Sequence, residues 1–167
     1  MDRDGLRTLQ EPLKQRYRDD PDAALVMLSA SGTLDDEITC TVRTGGALAT
    51  AGLHPATGGD GLSLCSGDML LEALVACAGV TLRAVATALE VPVAGGTITA
   101  DGILDFRGTL AVDREAPVGF ASIALRFELD APDADEQQLA TLLKLTERYC
   151  VVLQTLRGGP ELTVTAA

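Results

Sequence analysis

The chain offers four thiols, Cys40, Cys65, Cys77 and Cys150, and little else with nucleophilic chemistry. Cys77 lies in "SGDMLLEALVACAGVTLRAVATALEV" and Cys150 in "EQQLATLLKLTERYCVVLQTL", two stretches whose apolar residues recur at helical spacing. Thiols on core-facing helix surfaces serve as small buried hydrophobes, close a disulfide, or act as a nucleophile and its resolving partner. We favour the third use for Cys77 and Cys150. Cys65 is a rival nucleophile on physical grounds, because it directly precedes a helix start and a helix N-terminus lowers a thiol pKa. Cys40, inside a strand pattern, reads as core packing.

Burial by itself raises a thiol above its usual pKa of about 8.5, so a reactive Cys77 needs a cation or a helix dipole to favour the thiolate. Arg43 in "TCTVRT", Arg16 and Arg18 near the start, and Arg148 beside Cys150 are the candidate cations. Asp68, near the start of the Cys77 helix, is placed to hold a guanidinium through a bidentate pair. His54, the single histidine, precedes a glycine-rich loop and reads first as a loop residue. A weaker alternative makes it the base for Cys77 in a thiol hydrolase or transferase. One histidine and four widely spaced cysteines do not form a zinc set, and no serine occupies a G-x-S-x-G elbow. "TGGDG" lacks the lysine and spacing of a phosphate-binding loop. No metal and no cofactor are expected.

These side chains need elements to position them. Leu6, Leu9, Leu13 and Tyr17 recur at helical spacing, predicting an amphipathic helix over roughly 4–18 that "DDPD" ends. Short β-type runs over 23–54 predict an antiparallel meander, and "PATGGDGLSLC" forms a loop feeding the Cys77 helix, with Ser66 as its N-cap. On that helix Glu72, Gly79, Arg83 and Glu90 line up at about 100° per residue, while Cys77 points about 140° away, toward Leu70, Ala73, Leu74, Val80, Thr81 and Ala84. Two strands follow, "TITADGILDFRGTL" and "GFASIALRFELD". The second sets Ile123, Leu125, Phe127 and Leu129 against Ser122, Arg126 and Glu128. After "APDAD" a helix carries Leu139, Leu143, Thr146 and Cys150 on one stripe, and "PELTVT" closes as a strand. The order predicts an α+β fold with one domain at 23–167 and a helical extension at 1–22.

A net charge of −11 disfavours nucleic acid, and 3% aromatic residues without tryptophan leave few stacking platforms. No uninterrupted apolar run approaches the roughly 20 residues of a membrane span, and the charged start does not resemble a signal peptide. The expectation is a soluble cytoplasmic protein, a compartment in which a cysteine pair is more often redox-active than structural.

At these residues the chain resembles the OsmC/Ohr family of osmotically inducible and organic hydroperoxide resistance proteins. The resemblance covers roughly 24–165. It rests on the acidic residue opening the first cysteine's helix in "GDMLLEALVAC", on "DGILDFRGTL" and "VGF", and on the second cysteine in "ERYCVVLQTL". It implies an OsmC-like fold, antiparallel sheets around a long central helix in an intertwined homodimer. It implies that Cys77 attacks an organic hydroperoxide and that Cys150 resolves the sulfenic acid. Asp68 stands where the family has a glutamate, and Arg43 lies in a region suited to the family's arginine. An external thiol or dithiol would return the disulfide to thiols. The alternative reading is an OsmC-like protein that binds a hydrophobic small molecule.

Overall fold

The computed structural model describes residues 2–19, 31–34, 39–44, 47–111 and 113–166, so the β-type run expected at 23–30 lies outside the described residues. Helix α1 spans Arg3–Asp19, and the Asp2 carboxylate accepts the Gly5 N–H at 2.8 Å across its start. Contacts divide the chain into two units. The first comprises Met1–Pro12, Ala73–Thr99 and Leu125–Ala167, the second Leu13–Glu72 and Ala100–Ala124. The first twelve residues belong to the first unit, and Arg3 pairs there with Glu90 at 2.6 Å.

The second unit holds the meander β1 (Ser31–Leu34), β2 (Thr39–Thr44) and β3 (Ala47–Gly52), antiparallel with Leu34 opposite Cys40 and Arg43 opposite Leu48. Loop backbone is tied to β3 by Gly52 N–H to Leu64 O and Leu64 N–H to Thr50 O, both 3.0 Å. His54 opens a 3₁₀ turn at Pro55–Thr57, its Nδ1 accepting the Ala56 N–H at 3.0 Å. The loop then folds back so tightly that a Cβ on Gly59 would lie 1.7 Å from Leu53 O, which only glycine permits.

Helix α2 spans Ser66–Leu89. The Cys65 carbonyl accepts the first helical bond, from Met69 N–H at 3.0 Å, so Cys65 rather than the expected Ser66 is the N-cap. The far end closes with Glu90 in the left-handed region, Val91 N–H bonding Ala86 O at 3.0 Å and Glu90 N–H bonding Thr87 O at 3.3 Å. This is a Schellman closure, and its two apolar ends, Val91 and Ala86, join the core. Buried positions on α2 run Leu74, Ala78, Leu82, Ala86, a stripe of i, i+4 steps.

That stripe departs from the expected one. Cys77 is half-buried at its margin, and Leu70, Ala73 and Val80, assigned from sequence to the inward face, are exposed, Val80 by 73%. A helix apolar on most of its circumference has no single face that periodicity can choose, so packing partners chose it. Over its most apolar stretch α2 has a mean hydropathy of 1.8, and its length and composition would let it cross a membrane, although Asp68, Glu72 and Arg83 interrupt its apolar run. Here its buried positions pack inside a folded unit.

Two long strands, β4 (Gly95–Leu104) and β5 (Phe120–Asp130), form a second sheet. They run antiparallel, since Gly96 faces Glu128 and Gly102 faces Phe120. The alternation read for β5 is observed, with Ile123, Leu125, Phe127 and Leu129 half-buried between exposed neighbours. The first strand ends earlier than expected: Asp105 caps a short helix α3 (Phe106–Thr109) by accepting the Arg107 N–H at 3.0 Å, which diverts "DFRGT" from the sheet. Arg107 also binds the Asp105 carboxylate through its side chain, and holds that carboxyl below the usual range.

Helix α4 (Glu136–Tyr149) starts with a capping box, Asp135 and Gln138 each accepting the other's backbone N–H. Leu142 and Thr146 are buried on it, and Leu142 joins Leu82, Ala86 and Val91 in the core of the first unit. One helix was expected through Cys150. Instead Cys150 leaves helical geometry with ψ 106°, ending α4 and capping α5 (Val151–Gly158). No strand forms at "PELTVT"; among the described residues it has no partner strand, and Leu162 and Val164 are 85% and 95% exposed. The architecture is α+β, as the element order implied.

Candidate active site

Cys77 and Cys150 both belong to the first unit. Cys77 sits in the middle of α2, where its own helix leaves no free N–H. Cys150 is fully buried at the α4–α5 junction. The break there is the decisive local feature, because the first N–H groups of α5 have no intrahelical acceptor and point out of the helix end. The Val152 and Val151 N–H groups, the Cys150 thiol and the Thr81 hydroxyl are the groups that favour the charged form of the Cys77 sulfur.

The electrostatics follow from that arrangement. Burial pushes the Cys77 thiol up. Hydrogen bonds from Val152 N–H, the Cys150 thiol, Thr81 and Val151 N–H, taken together, outweigh burial and bring it below the ordinary thiol range. For Cys150 burial is the largest influence and raises the pKa. The Leu153 N–H offsets part of this, while donation to Cys77 and the charge on Cys77 raise it further. The two sulfurs are therefore unequal: the Cys77 thiol is the more acidic and the Cys150 thiol beside it the less. A proton-sharing pair of this kind supports attack by the first sulfur and subsequent closure by the second.

The other candidates are placed elsewhere. Asp68 lies in the first turn of α2, exposed, nine residues and about 13 Å of helical rise before Cys77, so within one α2 it does not adjoin that thiol. It lines a cleft of about 350 Å³ in the second unit together with Cys65, His54, Phe106 and Phe120. The His54 ring stacks on Phe106, centroids 5.0 Å apart. Arg43 is on β2 between Ser31 and Leu48, and Cys40 is on the same strand, opposite Ala51. Arg148 is exposed, its guanidinium 5.5 Å from the Tyr149 ring centre. The sequence reading sought a cation for Cys77. It missed the backbone donors of Val151 and Val152, because no glycine or proline announces the break after Tyr149. Thr81 was legible as the residue one turn after Cys77. Among the described residues no group of three or more histidine, cysteine or acidic side chains is arranged to hold a metal.

A family model described as OsmC-like protein matches residues 58–165, a span that contains α2, both long strands, α4 and α5. No protein of curated function matches the sequence. Among solved structures, an OsmC-like protein from Mycoplasma pneumoniae is 17% identical with a TM-score of 0.67, over 80% of this chain and 89% of that one. An organic hydroperoxide resistance protein OsmC from Legionella pneumophila is 14% identical at a TM-score of 0.60, over 81% and 92%. The organic hydroperoxide resistance protein OhrB of Bacillus subtilis is 17% identical at 0.54, over 81% and 93%. At such identities the likeness concerns the fold, and together with the matched span it shows that this chain belongs to the OsmC-like protein family.

Proposed function

We propose that the protein is a thiol peroxidase that reduces organic hydroperoxides to alcohols through Cys77 and Cys150. What carries this reading is the pairing of a lowered Cys77 thiol with the fully buried Cys150 thiol, the lowering coming from the α5 N–H groups, Cys150 and Thr81 against the burial that raises it. The Cys77 thiolate attacks the distal peroxide oxygen, the O–O bond breaks, and the alkoxide takes a proton to leave as alcohol. Cys77 is then a sulfenic acid. Cys150 gives up its proton and attacks the Cys77 sulfur. The S–O bond breaks, water leaves, and a disulfide remains, which a low-molecular-weight thiol or dithiol reduces by exchange. Family membership and the hydroperoxide resistance proteins among its structural relatives support the substrate class. A reducing compartment such as the cytoplasm suits three cysteines that are free in the structure. We further propose that a second copy of the chain covers the exposed apolar side of α2, Leu70 and Val80, and that Asp68 and Arg43 act across that dimer.

Reduced protein given one equivalent of cumene hydroperoxide should lose two thiols and yield a Cys77–Cys150 peptide link, faster than with hydrogen peroxide. Slow, unselective oxidation, or a link through Cys65, would remove this reading. The second reading, a protein that binds a hydrophobic small molecule, draws on the cleft of the second unit, where Leu71, Leu104, Phe106 and Phe120 form an apolar lining. A binder keeps its ligand in the Cys77→Ser variant, whereas a peroxidase loses turnover.

A further inference from the structure

One buried polar atom plays no part in the chemistry above. Thr146 is fully buried, and its Oγ1 has no hydrogen-bond partner among the described residues. Buried hydroxyls are almost always bonded, because desolvation without a partner is costly, so an orphan of this kind calls for an explanation. Its position narrows the choice. Thr146 is one turn before Cys150 on the same face of α4, and the two residues are joined by the bond from Cys150 N–H to Thr146 O at 2.9 Å. Side chains at i and i+4 stand about 5–6 Å apart at Cβ, within reach of an O–H to sulfur contact.

The state that changes is that of the Cys150 sulfur. In the reduced protein it is a thiol that donates to Cys77 and is a weak acceptor. Once it gives up its proton to attack, it becomes an anion in a fully buried place, favoured there by the backbone N–H groups of Leu153 and Val152. Burial still outweighs these backbone donors, and a further donor one helical turn away removes part of that cost.

We propose that Thr146 is a positioning residue for disulfide closure, its hydroxyl donating to the Cys150 sulfur as that thiol becomes the nucleophile. This rests on reading Cys77 and Cys150 as a reacting pair. In the step, the Cys150 lone pair forms the S–S bond, the Cys77 S–O bond breaks, and the departing oxygen collects a proton and leaves as water. Thr146 supplies a hydrogen bond and transfers no proton.

Thr146→Val keeps the side-chain shape and deletes the hydroxyl. After one equivalent of cumene hydroperoxide, the lifetime of the Cys77 sulfenic acid, trapped with dimedone, is expected to lengthen about tenfold, the worth of one hydrogen bond to a charged group. Thr146→Ser is expected to stay within about twofold of the unchanged protein. The reduced valine variant should unfold at the same or a higher temperature, since it removes an unpaired buried hydroxyl; a residue with a structural bond would show the opposite. Diamide, which activates the Cys77 thiolate for the same Cys150 attack, separates this inference from the peroxidase reading. Closure with diamide but no reaction with hydroperoxide ends the peroxidase reading and leaves Thr146 to be judged on the diamide rates. Equal closure rates in the valine, serine and unchanged proteins, a valine variant that unfolds at a distinctly lower temperature, or no Cys77–Cys150 closure with either oxidant would overturn the proposal.

Discussion

Two places in this molecule put a cysteine against a helix start, and they differ in whose helix it is. Cys65 caps its own helix, α2, and its sulfur lies over Gly67, 3.5 Å from where a Cβ would stand. Cys77 lies in mid-helix and receives the N-terminal N–H groups of α5, a helix that begins about seventy residues later in the chain. The first arrangement is local and the second tertiary. Only the second adds another thiol, and hydrogen bonding there outweighs burial to lower the Cys77 pKa. The neighbour of the Cys77 sulfur is a second thiol, that of Cys150. Cys65 has instead an imidazole stacked on a phenyl ring across an open cleft.

The sharpest way to break this contrast is to exchange the two thiols for hydroxyls. Cys77→Ser should bring hydroperoxide consumption to background, measured by ferrous xylenol orange, while Cys65→Ser should leave it within about twofold, since serine replaces the sulfur without a change of shape but is a far weaker nucleophile. Equal losses in both variants would merge the two sites into one.

A smaller effect is expected from pH. A lowered pKa means that Cys77 is already thiolate at a pH where an ordinary thiol, at about 8.5, is still protonated. Its alkylation by iodoacetamide, followed by peptide mass spectrometry, should rise through an inflection below that value, and that of Cys150 above it. The linkage has a definite sign. A folded-state pKa below the unfolded one stabilises the fold fully above the unfolded value, and that contribution is lost as pH falls through the folded value. An inflection of Cys77 at or above the ordinary range would show that the α5 donors do not act on it. The smallest effect belongs to the cleft. A methyl in Gly67→Ala would meet Cys65 Sγ, Leu104 and Phe120 at ordinary contact distances, 3.5 Å each, and would improve helix propensity. It should slow alkylation of Cys65, shift stability by less than about 1 kcal/mol and leave Cys77 chemistry unchanged. Impaired Cys77 oxidation would mean that the cleft serves the thiol pair.

Much of this was legible before any coordinates. The apolar stripe through Leu139, Leu143, Thr146 and Cys150 is half-buried to buried as its period implied, and the alternation of β5 is the one observed. These elements are amphipathic, so their patterns have one solution. Where the pattern was uniform or strong local signals were missing, the reading failed. Around α2 nearly every position is apolar, and the inward face went to Leu74, Ala78, Leu82 and Ala86. After Tyr149 nothing in "ERYCVVLQTL" forces a break, yet the helix is interrupted at Cys150. At "DFRGT" a side-chain cap won over strand periodicity.

The sequence alone determined the α+β class, the alternation of β5 and the apolar stripe of α4, because residue type and local period are properties of a short stretch of chain. The tertiary structure alone decided which of the two thiols is lowered and which is raised, which N–H groups favour the charged form of Cys77, that Asp68 lines a cleft with Cys65 instead of adjoining Cys77 in its own helix, and that Thr146 is buried one turn before Cys150 without a partner among the described residues. A pKa and an orphaned hydroxyl depend on distances between residues far apart in sequence, and those distances exist only once the chain has packed.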